Sequence, residues 1–217
     1  TIPGLMKIER KTVPGCPTWP ASIKVSLAPE LLPGPDARCA RGLHTYFRSP
    51  ATNDRGHPVC GLCGEDAIDW RRLHRRKIAD VEYTNAQLKT DRWQYKWWSS
   101  AIDPKAVRHA SRMGLGGFED AVRRRVYQSV GRVYQMPKGK LQPFRDGSQT
   151  TDKVGKMTII HYGQHATATC CRKCIDVWHG IPRGRELTQE EMDYLVKLLV
   201  VYVRFKLPEL GAEARPT

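Results

Sequence analysis

The chain has 217 residues, enough for one large domain or two small ones with a working hydrophobic core, and its balance of 40% hydrophobic and 27% charged residues excludes disorder throughout. Lys and Arg number 36 against 22 Asp and Glu, a formal net charge of +14 that points to a polyanionic partner rather than to any fold. No apolar run approaches the length of a membrane span, and the opening TIPGLMKIERK has neither the apolar core nor the cleavage site of a secretory signal, so the expectation is a cytoplasmic protein without a membrane partner.

Residues 1–38 carry Pro3, Pro14, Pro17, Pro20, Pro29, Pro33 and Pro35. That density forbids long helices and predicts an irregular arm, with one strand at Ile23 to Leu27 where the side chains alternate. The next stretch, residues 39–78, is expected to form a zinc-finger-like module. Its turn-rich first part ends at Cys63, and Glu65 to Lys77 follows with helical composition, acidic residues first and basic residues last, as the helix dipole favours.

Residues 79–207 are expected to form a mainly helical domain, and 208–217 a tail. Between Thr84 and His109 one or two helices are predicted, the second starting at Asp103-Pro104. Phe118, Val122, Val126, Val130 and Val133 recur at helical spacing, which predicts an amphipathic helix from Phe118 to Gln135. Residues 137–156 read as a polar loop and Met157 to Tyr162 as a short strand. Thr188 and Glu191 form a capping box ahead of Met192, Leu195, Leu199, Tyr202 and Val203, so a last helix is predicted to run to about Phe205 and to stop before Pro208. The fold class expected is α+β, predominantly helical, with two small zinc-stabilised modules, short strands and a C-terminal amphipathic helix.

Six of the seven cysteines are clustered, and in a reducing compartment such clusters point to metal or catalysis rather than disulfides. The first cluster is Cys39, His44, Cys60 and Cys63. Two cysteines separated by two residues clasp a tetrahedral ion from a tight turn, and Gly61 and Gly64 supply the backbone freedom this needs. His57 and Cys16 are possible substitutes for one ligand. The bland alternative is that these cysteines are small buried hydrophobes.

The second cluster offers His165, Cys170, Cys171, Cys174 and His179, five candidates for four positions. A closed set would be structural, whereas three ligands and a water would form a Lewis acid. An iron-sulfur centre is an alternative that the adjacent Cys170-Cys171 pair makes awkward. A histidine left out of the ligand set, His165 or His179, is a candidate general base, and a spare cysteine beside Arg172 and Lys173 would gain some nucleophilic character. Two Zn2+ ions are therefore the expected cofactors.

The run GQHATATCCRKC, followed by WHGIPRGRELTQEE and a terminal helix, resembles the signature of an uncharacterised bacterial and archaeal domain of unknown function. The resemblance spans roughly residues 105–205 and is specific at 164–186. It implies a single domain holding His165, Cys170, Cys171, Cys174 and His179, and it carries no reaction.

Arg71, Arg72, Arg75, Arg76 and Lys77 follow the first cluster on the predicted helix, as zinc modules present a recognition helix to phosphates. Trp93, Tyr95, Trp97 and Trp98 interleave with Lys89, Arg92 and Lys96, the chemistry of a stacking surface for unpaired bases, although tryptophans four apart more often pack in a core. Arg123, Arg124 and Arg125 would extend the basic surface. The leading expectation is a zinc-stabilised protein that binds DNA or RNA, alone or with other protein subunits in a nucleoprotein complex of a defence or mobile-element kind. A zinc-dependent hydrolase or nuclease at the His165 to His179 cluster is the second expectation and a protein-interaction adaptor the third. Deaminase, metalloprotease, Walker and dinucleotide fingerprints are all missing from the sequence, which weighs against the enzyme.

Overall fold

The computed structural model describes residues 34–47, 49–135, 141–147 and 158–212. The expected proline-rich arm, its strand at Ile23 to Leu27 and the alternative ligand Cys16 lie outside the described residues, apart from the arm's last five positions. The chain divides into two compact units, Thr1–Ala67 and Ile68–Thr217.

In the first unit, helix α1 (Gly34–Ala40) carries Cys39 in its last turn. It ends in a Schellman turn: Gly42 adopts φ 78, Leu43 N–H donates to Arg38 O at 2.9 Å and Gly42 N–H to Cys39 O at 2.9 Å. That reversal carries the chain directly to His44. An antiparallel bridge between Thr52 and Pro58 closes the next loop, whose tip is held by Asn53 Oδ1 accepting from Arg55 N–H and His57 N–H. A second tight turn runs through Cys60 to Gly64, with Gly64 at φ 75 and its N–H donating to Cys60 O at 2.8 Å. The buried side chains of this unit include Leu43, Tyr46 and Val59, and among them sit Cys39, His44 and Cys60.

The second unit is helical. Its elements are α2 (Trp70–Leu73), a 3-10 turn (Ile78–Asp80), α3 (Val81–Leu88), α4 (Arg92–Ser99), α5 (Pro104–Val126), strands β1 (Val133–Gln135) and β2 (Leu141–Pro143), α6 (Ile159–Ala166), α7 (Arg172–His179), α8 (Gln189–Lys206) and α9 (Glu209–Ala212). Helix α8 is the central post, packed by α3, α5, α6 and α9. Thr188 and Glu191 form the expected capping box. Burial extends well beyond the predicted stripe, to Tyr194, Val196, Leu198 and Val200, because a helix surrounded by other helices is apolar on nearly every side.

Several expected elements are revised: the loop expected over 137–156 contains strand β2, and the tail expected from 208 contains α9, with Leu210 buried. Helix formation at 65–77 is confined to Trp70–Leu73, capped by Asp69, and Arg76 then takes a left-handed conformation (φ 52) that ends it. The helix expected over Phe118 to Gln135 begins earlier, at Pro104 with Asp103 as cap, and is kinked at Gly114 (φ 63, ψ 176). Phe118, Val122, Val126 and Val130 are fully buried as the spacing predicts, but the helix opens into a wide π-turn at Tyr127–Gly131 and gives way to β1. The reason is capture of its carbonyls: Val130 O accepts from Arg172 Nη1 (3.2 Å) and Gly131 O from Leu187 N–H (2.8 Å), and β1 pairs antiparallel with β2, Tyr134 opposite Gln142. Finally, of the strand expected at Met157 to Tyr162, Met157 lies outside the described residues, and the rest is instead the Thr158 cap and first turn of α6, with Ile159, Ile160 and Tyr162 buried against other helices. A short apolar run has no periodicity of its own to separate strand from helix.

Candidate metal centres

In the first unit the ligand atoms of Cys39, His44, Cys60 and Cys63 all lie within 4.8 Å of one another. Cys39 Sγ stands 3.9 Å from Cys60 Sγ, and His44 Nδ1 stands 3.5 Å from Cys63 Sγ. Around a tetrahedral zinc with bonds of about 2.3 Å to sulfur and about 2.0–2.1 Å to nitrogen, such edges measure about 3.8 and about 3.6 Å. The donor set and its spacing therefore fit one ion. Cys60 is the thiol held furthest toward the thiolate, its pKa lowered by hydrogen bonds from Cys39, His44 and the Thr45 N–H (3.3 Å), while Cys39 is raised as the donor in that pair. Burial first, then the neighbouring charge on Cys60, pushes Cys63 up to about 11. Without a cation this crowded cluster carries little negative charge; a dication would let every thiol ionise.

In the second unit Cys170, Cys171 and Cys174 also bring their sulfurs within 4.8 Å, with Cys174 Sγ 3.6 Å from Cys170 and 3.5 Å from Cys171. Cys171 caps α7 with extended backbone, so that Cys174 lies in the first turn of the helix. Hydrogen bonds from Cys170 and Cys174, joined by the Lys173 and Cys174 backbone N–H groups, place the Cys171 thiol well below its usual range. The loop carrying Gly147 (φ 110) lies over this triad: a Cβ there would meet Lys173 Cβ at 2.6 Å and Cys171 Sγ at 3.4 Å.

The structure brings neither His165 nor His179 into that triad. His179 is fully buried, with Nε2 3.0 Å from Thr167 O and Nδ1 3.1 Å from Tyr194 Oη. A carbonyl only accepts, so Nε2 carries the proton, and the Tyr194 hydroxyl donates to Nδ1. Burial lowers the His179 pKa to about 3. Both nitrogens are thus committed inside the core, which suits neither a ligand nor a general base. His165 is stacked on Trp97 (centroids 4.5 Å apart, planes at 17°) and its Nε2 is 3.0 Å from Nε2 of His161. His161, one turn earlier on α6, was not among the candidates read from sequence; the His-x3-His spacing is the signal that would have found it.

Arg172 does not face the thiols. It is fully buried, donating Nη1 to Val130 O and Nη2 to Pro182 O, while its backbone N–H reaches Arg145 O at 2.9 Å. It ties the thiol turn to the π-turn and to the segment after α7. Lys173 is exposed.

The predicted basic surface is split. Arg72 pairs with Asp80 (2.6 Å) and covers the Tyr83 ring at 3.8 Å, and Arg76 donates to His179 O and Gly180 O at 3.3 Å each. Lys89 Nζ lies 4.1 Å from both the Trp98 and Phe205 rings; Arg123 pairs with Asp193 at 2.6 Å and Arg125 donates to Gln164 at 3.3 Å. Arg71, Arg75, Lys77, Arg92, Lys96 and Arg124 are exposed. Tyr95, Trp97 and Trp98 are buried and only Trp93 of that aromatic group is substantially exposed, so the stretch is core packing rather than a base platform.

No helix of the described residues is long and apolar enough to cross a membrane. No solved structure matches the chain. Residues 100–204 match the model of a family described as a domain of unknown function (DUF4186), so the segment that carries the thiol triad, His161, His165, His179 and α8 is similar to a family to which no activity is attached.

Proposed function

We propose that this chain is a zinc-stabilised nucleic-acid-binding protein, in which two thiol-rich sites hold the two units and exposed basic side chains contact phosphate. The observation that carries the metal half is the convergence of the ligand atoms of Cys39, His44, Cys60 and Cys63 within 4.8 Å, with Cys39, His44 and Cys60 buried. Zinc is favoured over an iron-sulfur cluster because sulfurs 3.5 and 3.6 Å apart suit thiols that share one ion rather than thiols that each bind a separate iron. The nucleic-acid half is supported by the net charge of +14 and by the exposed set Arg71, Arg75, Lys77, Arg92, Lys96 and Arg124. The test is metal analysis together with binding of single- and double-stranded DNA and RNA across a salt series. The expectation is zinc at both thiol sites, and an affinity that falls with a log–log slope of about 0.7–0.9 per phosphate contacted, reduced in a R71A/R75A/K77A variant. Salt-independent or absent binding refutes the nucleic-acid half.

A second reading, a zinc-dependent hydrolase, draws on one observation: the triad supplies three protein ligands, the number that catalytic zinc sites combine with a water. It requires a base other than His179. Turnover of a nucleic-acid substrate lost in a C171S variant would favour it.

A further inference from the structure

We infer that His161 and His165 form a separate, two-imidazole site for a divalent transition-metal ion, distinct from both thiol clusters. The two residues lie one turn apart on α6, and their Nε2 atoms converge to 3.0 Å with ring centroids 4.8 Å apart. Two imidazole nitrogens bound to one ion at about 2.0–2.1 Å stand about 2.8–3.4 Å apart, from the right-angled to the tetrahedral limit. The observed spacing falls at the right-angled end.

The surroundings set up the pair for ligation. His165 is buried and its ring is fixed by the Trp97 indole stacked on it, so one ligand is already oriented. His161 is half-buried, which leaves an approach from solvent. Gln94 lies one turn before Trp97 on α4, on the face that packs against α6; it is 1% exposed, and its Oε1 has no hydrogen-bond partner among the described residues, so a buried oxygen acceptor stands on that same face. At this distance a neutral pair of imidazoles shares one Nε2–H···Nε2 hydrogen bond; on ligation that proton moves to Nδ1 of the same ring, and the ion engages both Nε2 lone pairs. The donor set is nitrogen rather than thiolate, so it takes Zn2+, Co2+ or Ni2+ and leaves further positions for water or an anionic ligand.

The test is titration with Co2+, followed by calorimetry and visible absorption, of the full chain loaded with one zinc per thiol site and then dialysed against a weak chelator that strips ions held by imidazole alone. Thiolate-bound Co2+ shows intense sulfur-to-metal charge transfer and imidazole-bound Co2+ does not, so exchange at the thiol sites is separable from filling of this one, and a failure of the thiol-site reading leaves the result legible. The expected result is one saturable equivalent without charge-transfer bands, weakened at least about tenfold in H161A and regained in part in H161D, which restores a ligand. Absence of such an equivalent in the wild-type chain, or equal binding by wild type and H161A, overturns the proposal and leaves the pair as a hydrogen bond.

Discussion

Replacing His179 by Gln separates a buried hydrogen-bonding role from a metal-ligand role. In the native chain His179 is neutral, donating from Nε2 to Thr167 O and accepting at Nδ1 from Tyr194, whose own hydroxyl is pushed up to about 12 by burial and stays protonated. Unfolding returns the imidazole to an ordinary pKa of 6.5 from a native value of about 3. The unfolded state thus binds the extra proton, and this contribution to stability is complete well above pH 6.5 and is lost as pH falls from 6.5 toward 3. The slope approaches about 1.4 kcal/mol per pH unit, so between pH 8 and pH 5 His179 alone removes about 2 kcal/mol. In H179Q the amide nitrogen donates to Thr167 and the amide oxygen accepts from Tyr194, with no proton to gain. Urea denaturation followed by tryptophan fluorescence at pH 8 and pH 5 is expected to show H179Q within about 1–2 kcal/mol of wild type at pH 8, and an acid-induced loss smaller than wild type's by about 2 kcal/mol. H179A, by contrast, strands the Thr167 carbonyl and the Tyr194 hydroxyl at about 1–3 kcal/mol each and adds a cavity, while keeping the metal content per folded chain. An unchanged pH dependence in H179Q, or loss of a metal equivalent without loss of stability, refutes the reasoning.

Arg172→Met preserves the bulk of the side chain but leaves the Val130 and Pro182 carbonyls without their donor, and is expected to cost about 2–5 kcal/mol in chemical denaturation, with faster amide exchange at Leu187 and along β1. Gly163→Ala places a methyl 2.8 Å from Leu199 Cδ2 and 3.1 Å from Tyr202 where α6 crosses α8, so a loss of about 1–3 kcal/mol is expected, and a stability equal to wild type would show that this crossing is loose. Thr188→Ala removes the side-chain acceptor for Glu191 N–H (3.2 Å) and half of the capping box, an expected loss of about 1 kcal/mol in thermal or urea unfolding with metal content unchanged.

Local signals in the sequence determined a good part of this protein. The capping box at Thr188 and Glu191, the Asp103-Pro104 start of α5 and the burial of Phe118, Val122, Val126 and Val130 each depend on neighbours within one or two turns, and each stands in the structure as read. So does the convergence of Cys39, His44, Cys60 and Cys63, because a two-residue clasp and glycine-bearing turns bring such side chains together through largely local structure. The tertiary structure decided the rest. Carbonyl capture by Arg172 and Leu187 ended α5 where periodicity would have continued it, and packing against α4 and α8 made a helix of the run at Ile159.

The histidines show the same division most sharply. Sequence proximity put His165 and His179 beside Cys170, Cys171 and Cys174, but the direction of a side chain depends on the fold: His179 points to Tyr194 in the core and His165 to His161 under Trp97. Likewise Arg72, Arg76 and Lys89 carry charge that composition counts as surface, yet an aspartate, two carbonyls and two aromatic rings claim them. Composition fixes how many charges and ligands a chain carries; only packing assigns each one its partner.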